Sequence, residues 1–231
     1  MSPDPIPFDA ALRITAIAVG LAVIQQSIEH AVAPRDEQLL YAPRALAAFC
    51  LVLGWHSALA CGVLVMLHLL ILRRFEGPYN GGSDRMSLLG VSCLALAYVS
   101  PNLVLKETAL GYLAVQGVLS YTISGWVKLV NPEWRNGRAL RDVFEFSAYP
   151  VSESLRGWAK APRLLRLMGW AVMLFELLFP FALASRALLI AALAIGAAFH
   201  VANACLFGLN RFVWIWLATY PSLLWLQGRV F

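Results

Sequence analysis

Long apolar segments alternate with short polar connections along the whole chain. Most of the segments are about 20 residues long, enough for a helix to cross a bilayer core of about 30 Å. The alternation of polar and apolar residues that marks a membrane β-strand does not occur. We count seven segments: 11–28, 45–72, 86–103, 109–130, 164–184, 187–206 and 212–226. The pattern predicts an all-α protein, a polytopic transmembrane bundle of about seven helices.

The composition supports a membrane location. Hydrophobic residues make up 60% and charged residues 13% of the 231 residues, and the mean hydropathy is +0.70. A water-soluble domain carries about 25% charged residues. The net charge is +5. In a membrane protein, such an excess of Lys and Arg is usually found in the cytoplasmic loops. We therefore expect the lipid bilayer, and not nucleic acid, as the partner of the basic side chains.

The distribution of Lys and Arg predicts an orientation. With seven crossings, twelve of the 18 basic residues lie on the side of the N-terminus and five on the opposite side, with Lys128 inside the membrane. Because cytoplasmic loops carry the excess of positive charge, we expect an integral, multi-pass protein with its N-terminus inside.

The longest connection, about 131–163, has a pattern of its own. Apolar residues alternate there with charged residues at helical spacing, namely Leu140, Val143, Phe144, Leu155 and Trp158. A segment of this type lies at the membrane interface with its aromatic residues among the headgroups. No repeat or low-complexity tract divides the sequence, so we expect a single domain over 1–231 that includes this interfacial segment.

Ionisable side chains inside the apolar segments are costly and indicate functional sites. His68 lies near the end of the second segment, Lys128 near the end of the fourth, and His200 beyond the middle of the sixth. In a seven-helix path these three side chains fall in one layer near the N-terminal side of the membrane. Asn203 follows His200 by one turn and extends the layer.

A polar loop, "EGPYNGGSDR" at 76–85, would cover this layer. Its paired glycines, Gly81 and Gly82, permit positive φ values and close backbone approach. Its side chains Asn80 and Ser83 can form hydrogen bonds with a substrate that lies below.

Glu176 lies near the middle of the fifth segment, and His56 near the middle of the second. A carboxyl group at that depth must be protonated or paired, and Lys128 or a histidine is a suitable partner. The other interpretation of Lys128 is that its ammonium extends to the interface. Since lysine is protonated and rarely binds metals, we predict no metal site.

Lys128 can act as a base where its surroundings exclude water. Burial in an apolar pocket lowers the proton affinity of an amine, and the amine can then accept a proton near neutral pH. Such a base suits a substrate that arrives from the membrane, such as a quinone.

Two stretches resemble a known family. "ISGWVKLVNPEWRNGRAL", 123–140, is similar to a lysine-containing segment of the horizontally transferred transmembrane (HTTM) proteins, which include vitamin K-dependent gamma-carboxylase. "FHVANACLFGLNRFVWIWLATYPSLLW", 199–225, is similar to the family's histidine-containing helix and the membrane segment after it. With the polar loop, the resemblance covers roughly 77–225.

The resemblance implies roles for particular residues. Lys128 matches the family lysine that is regarded as the base acting on a reduced quinone, and Trp134 lies in the same segment. His200 and Asn203 match the family's helix residues. The implied cofactor is a reduced quinone, either menaquinone or vitamin K-like. In the turn "NGGS", 80–83, this sequence has glycine where the carboxylase has a histidine.

Two functions remain open. Short bacterial relatives mature small secreted toxin peptides, so the resemblance favours an enzyme or maturation factor of the bacterial cytoplasmic membrane. It would act on a lipid-soluble quinone or a small secreted peptide, alone or with a companion maturation protein. As an enzyme it would have carboxylase-like or quinone-epoxidase-like chemistry. The alternative is a non-catalytic membrane scaffold or partner subunit. The candidate residues are Lys128 and His200 for catalysis and, for substrate binding, Asn80, Ser83, His68, Asn203, Glu176 and Trp134.

Overall fold

The computed structural model describes residues 6–30, 35–74, 81–147 and 152–230, and within these ranges it contains helices and no strand. The all-α fold class is confirmed. The α-helices are α1 (Phe8–Glu29), α2 (Arg35–Leu53), α3 (Ser57–Arg74), α4 (Gly81–Val99), α5 (Leu103–Val130), α6 (Pro132–Arg135), α7 (Arg138–Phe146), α8 (Pro162–Leu178), α9 (Arg186–Phe207) and α10 (Asn210–Val230). The 3₁₀ helices Glu153–Lys160 and Phe179–Ala184 lie on either side of α8.

Several helices have the length and composition of membrane spans. Among the described residues, four are long and apolar enough to cross a bilayer: Phe8–Glu29, Leu103–Val130, Pro162–Ala184 and Arg186–Phe207. Two shorter apolar helices occupy Leu39–Leu53 and Ser57–Arg73. The number of crossings and the orientation stay predictions.

The second apolar segment is not the single helix that the sequence predicts. Residues 45–72 are divided between α2 and α3 by a turn at 54–56. Gly54 has a φ of 78° and His56 a φ of 46°, in the left-handed region that favours glycine. His56 therefore lies in a turn and not in the middle of a membrane helix. A path of seven helices assigns each loop to one side of the membrane. Because this segment is divided into two helices, that assignment does not follow from the sequence alone.

The end of α2 is stabilised from α1. The guanidinium of Arg13 donates hydrogen bonds to the carbonyl oxygens of Leu51 (2.8 Å) and Val52. These carbonyls belong to the last turn of α2, where a helix has no backbone donors of its own to offer. A cation at this position also complements the negative end of the helix dipole.

The end of α5 follows the sequence closely. α5 stops at Val130, and the Asn131 side chain accepts a hydrogen bond from the backbone N–H of Glu133 (2.9 Å). Pro132 occupies the first position of α6, where its missing N–H costs nothing. The Asn-Pro pair thus ends one helix and starts a short second one directly beyond Lys128.

The described parts of the connection, 131–147 and 152–163, are mainly helical and amphipathic, as the pattern predicts. The Phe144 side chain of α7 is 2% exposed and stacks on Trp158 with ring centroids 5.6 Å apart. It also meets Phe207, at the end of α9, at 5.0 Å. These aromatic contacts fix the connection in place. Its position at the membrane interface stays a prediction.

The chain forms two compact units. The first contains the described residues of Met1–Val115 and Arg211–Val230, and the second is Gln116–Asn210. In the first unit α1 packs on α2 and α4, and α3 packs on α2 and α4; in the second, α8 packs on α6 and α7. The single-domain organisation stays a prediction.

Gly20 determines how closely α1 and α2 approach. A Cβ atom at Gly20 would lie 2.6 Å from Cγ2 of Val52 and 3.1 Å from the carbonyl oxygen of Ala48. Small residues at helix crossings allow such close packing in membranes, where dispersion contacts replace the hydrophobic effect.

Gly20→Ala should therefore lower the stability of the protein in detergent by about 1–3 kcal/mol, the usual cost of overpacking. The matched control is Gly62→Ala in α3, because a Cβ there would meet no atom within 4 Å. The measurement is the midpoint of thermal unfolding in one detergent. Equal midpoints for the two variants would contradict the assignment of Gly20 to a tight helix crossing.

Candidate functional site

Lys128 lies in the last turn of α5 and forms an ion pair with Glu176 of α8. Its Nζ donates to Oε2 (2.7 Å) and Oε1 (2.8 Å) of Glu176 and to Oγ of Ser124 (2.6 Å). Ser124 also donates to Oε1 of Glu176 (3.2 Å). The Lys128 and Glu176 side chains are 15% and 3% exposed. The ammonium of Lys128 therefore points at the carboxylate of Glu176. Lysine is one of the two partners that the sequence suggests for this carboxylate, the other being a histidine.

Gly125 allows the two helices to approach closely enough for this pair. A Cβ atom at Gly125 would lie 2.9 Å from Cβ of Glu176 and 3.0 Å from the backbone nitrogen of Leu177. A larger residue would push α5 away from α8. Gly125 lies three residues before Lys128, so the close contact between α5 and α8 lies beside the ion pair.

Trp134 stands beside the ammonium on the side of the short helix α6. The centre of its ring lies 5.4 Å from Nζ of Lys128, within the range of a cation–π contact. α6 is attached to α8 because Trp170 Nε1 donates to the carbonyl oxygen of Arg135 (3.2 Å) and Arg166 Nε donates to that of Asn136 (3.1 Å). The ammonium thus has a carboxylate, a hydroxyl and an indole around it.

His200 of α9 also reaches α5. Its Nε2 lies 2.9 Å from the hydroxyl of Tyr121, and both side chains are buried. The Tyr121 ring stacks on Phe179 with centroids 4.2 Å apart and meets Phe175 edge-on at 5.7 Å. His200 is therefore held by an interhelical hydrogen bond inside an aromatic cluster.

Lys128 and His200 are connected through one face of α5. Tyr121, Ser124 and Lys128 are three and four residues apart, which places them on the same side of the helix. Seven residues correspond to about 10 Å along the helix axis. Asn203 is half-buried one turn after His200, and its carbonyl oxygen accepts from the backbone of Leu209 (3.5 Å). The catalytic and binding roles of these residues stay predictions.

His68 belongs to the first unit, where it is buried against Arg44. Arg44 Nη2 donates to Nε2 of His68 (2.8 Å) and to Oε1 of Gln26 (2.6 Å). Nδ1 of His68 lies 2.7 Å from the carbonyl oxygen of Leu64. Because a guanidinium has no acceptor, Nε2 must accept and Nδ1 must carry the proton. His68 is therefore a neutral imidazole whose two nitrogens are both used within the unit.

The polar loop predicted at 76–85 is in part a helix. α4 already begins at Gly81, so Ser83 lies in its first turn, where its carbonyl oxygen accepts from Ser87 (2.8 Å). Asp84 in the same turn complements the positive end of the helix dipole. Asn80 lies outside the described residues. The common layer predicted for His68, Lys128 and His200 stays a prediction.

A second arginine of the first unit contacts the ends of α1 and α4. Arg211 Nε pairs with Glu29 (2.6 Å), and its Nη1 lies 3.9 Å from Asp84. Its Nη2 is hydrogen-bonded to Nε2 of His30. Burial, with a further contribution from Arg211, lowers the pKa of His30 to about 4. His30 is thus neutral at pH 7 and can accept from Arg211.

Three residues of these hydrogen-bond networks are not among the candidates that the sequence predicts: Ser124, Tyr121 and Arg44. Ser124 and Tyr121 lie four and seven residues before Lys128, so helical spacing alone could have identified them. The charge count places Arg44 in a loop; that assignment is wrong, since Arg44 lies inside α2 and is 1% exposed. In the described ranges, no three His, Cys, Asp or Glu side chains are grouped to hold a metal ion.

Removal of one partner of the ion pair should destabilise the protein more than removal of both. Lys128→Met or Glu176→Gln alone leaves a buried polar group without its partner, which costs about 3–5 kcal/mol for a buried pair. The double variant should lose much less than the sum. The measurement is a double-mutant cycle on unfolding free energy in detergent.

The matched control is the exposed pair Arg138–Glu133, with 3.3 Å between its charged atoms. Exposed pairs contribute about 0–1 kcal/mol, so Arg138→Met and Glu133→Gln should show little coupling. A coupling energy for Lys128–Glu176 as small as that of the control would show that the buried pair is not a unit.

Comparison with known proteins identifies one family. The family model of the HTTM domain matches residues 27–226, which include the ion pair, Tyr121 and His200. None of the curated proteins or solved structures that were compared matches the chain. The family match and the apolar helices together show an integral membrane protein. A match over most of the sequence is sufficient to show membership, and the chain belongs to the HTTM family.

Proposed function

We propose that the protein is a membrane-embedded enzyme or maturation factor in which Lys128 and Glu176 move a proton of a lipid-soluble substrate. The observation that carries this proposal is the ion pair within apolar helices. Replacing a buried pair by apolar residues of similar volume commonly leaves stability unchanged or improves it. Stability therefore gives no reason for the two charges, and ionisable groups inside a membrane are functional candidates by default.

The pair can supply a neutral amine without a change of net charge. Transfer of one proton from Nζ of Lys128 to an oxygen of Glu176 gives an amine and a carboxylic acid. The amine then takes a proton from a substrate hydroxyl: the O–H bond breaks, an N–H bond forms, and the electron pair stays on the substrate oxygen. The Ser124 hydroxyl, which contacts both groups, orients the carboxylate.

A reduced quinone fits these groups. Its hydroxyl supplies the proton that the amine removes. The indole of Trp134 offers a flat aromatic surface next to Nζ. Trp126, Val127 and Val130, in the last turns of α5, are each more than half exposed, so an apolar tail can lie along the helix in the membrane. A small secreted peptide, with or without a companion maturation protein, is the second substrate class that we propose.

A non-catalytic scaffold is the alternative, and two observations favour it. Nζ of Lys128 already contacts three oxygen atoms of the protein itself, as in a purely structural pair. The start of α4, at Gly81 and Gly82, also has glycine where the carboxylase that the chain resembles has a histidine.

The test uses the full chain in lipid nanodiscs with menaquinol in air-saturated buffer. We expect the wild-type protein to retain quinone on extraction from membranes and to consume menaquinol. Lys128→Arg keeps the charge but cannot deprotonate, so consumption should fall by about 10²- to 10⁴-fold, the usual contribution of a general base.

Lys160→Arg is the matched control, because Lys160 is exposed on the 3₁₀ helix outside the site, and its activity should equal that of the wild type. Undiminished consumption by Lys128→Arg would disprove the base role. Wild-type protein that neither retains nor consumes menaquinol would exclude the quinone and direct the test to peptides; a null result with these too would favour the scaffold.

A further inference from the structure

The described helices of the connection between α5 and α8 are held together within the second unit. Arg156 of the 3₁₀ helix donates to the carbonyl oxygens of Glu145 (2.6 Å) and Ser147 (3.3 Å) at the end of α7. The buried Phe144 of α7 also contacts Phe207 at the end of α9. The exposed side chains of these described helices therefore form a defined surface.

This surface is basic. Residues 131–166 contain seven Lys and Arg and four Asp and Glu, which gives three of the chain's net five positive charges. The acidic residues are partly neutralised within the connection: Arg138 lies 3.3 Å from Glu133 and 3.6 Å from Asp142, and Arg156 lies 2.6 Å from Glu153.

The remaining positive charge is concentrated where α8 begins. Lys160, Arg163 and Arg166 are exposed, and within the described ranges none of them forms an ion pair with a carboxylate. The first turn of α8 contains no acidic residue. Three exposed cations three residues apart, with no counter-charge among the described residues, form a surface that attracts anions.

Large apolar side chains are exposed among these cations. Phe146 is 70% exposed, Trp158 41%, Leu164 46% and Leu167 68%. A free phosphate or a soluble polyanion would leave these side chains in water. A lipid leaflet satisfies both features, because its headgroups carry charge and its acyl chains lie directly below.

We propose that this surface, formed by Lys160, Arg163 and Arg166 with Phe146 and Trp158, binds anionic phospholipid headgroups. The connection joins two helices that are long and apolar enough to cross a bilayer. If both cross it, the cations lie within the range of the surface potential of a leaflet, which attracts Lys and Arg. This inference does not depend on the proposed function.

The test reconstitutes the full chain in phosphatidylcholine vesicles that contain spin-labelled phosphatidylglycerol or spin-labelled phosphatidylcholine. Electron paramagnetic resonance gives the fraction of each label that the protein immobilises. We expect a several-fold preference for phosphatidylglycerol that falls as salt is raised, because salt screens exposed charges. The triple variant Lys160→Gln, Arg163→Gln and Arg166→Gln should lose most of this preference.

The control removes three cations elsewhere, Arg73→Gln, Arg85→Gln and Lys106→Gln, and should keep the preference. A third variant keeps the charges (Lys160→Arg, Arg163→Lys and Arg166→Lys) and should also keep it, which separates loss of charge from misfolding. Equal immobilisation of the two lipids by the wild type would overturn the proposal. An equal loss in the charge-removing variant and the control would overturn it as well.

Discussion

The ion pair between Lys128 and Glu176 requires two apolar helices to approach closely at one level. An ammonium and a carboxylate lose several kcal/mol each on leaving water, and only short contacts with good geometry restore it. Gly125 provides the space, since any side chain there would meet the backbone of α8. Ser124 completes the hydrogen bonds of both charged groups. The packing of α5 on α8 and the chemistry of the site therefore depend on the same few residues.

The first unit also contains a buried charged side chain, but among the described residues neutral groups and not an opposite charge accept its hydrogen bonds. Arg44 is 1% exposed, and the described side chains that accept its hydrogen bonds, Gln26 and His68, are neutral. These bonds link α1, α2 and α3, and the bond between Gln26 and Ser87 adds α4. A guanidinium fixes the tautomer of the imidazole beside it, so His68 is a hydrogen-bond acceptor and not a free base. Of the histidines singled out in the sequence, His68 therefore functions in helix packing.

Much of the fold is visible in the sequence because a bilayer allows few structures. Backbone groups in hydrocarbon must be paired internally, so apolar segments become helices, and the Asn131-Pro132 pair ends α5 where expected. The break at Gly54 is not visible in the sequence, because one glycine in an apolar run is a weak signal. The turn also depends on Arg13, a residue 41 positions earlier in the sequence. Sequence periodicity shows which face of a helix is apolar, but it does not show which helix that face meets.

For the function that we propose, the position of the pair indicates the class of substrate more clearly than the identity of its residues does. Lys128 lies in the last turn of a 28-residue helix, with apolar side chains exposed on one side and the short helix α6 on the other. In the function that we propose, a lipid-soluble substrate would approach along the exposed apolar side chains of α5. A polar head at the level of Nζ and an apolar tail in the membrane match this arrangement. The Tyr121–His200 hydrogen bond lies deeper on the same face, so a substrate long enough to extend inward along α5 would meet a second polar contact there.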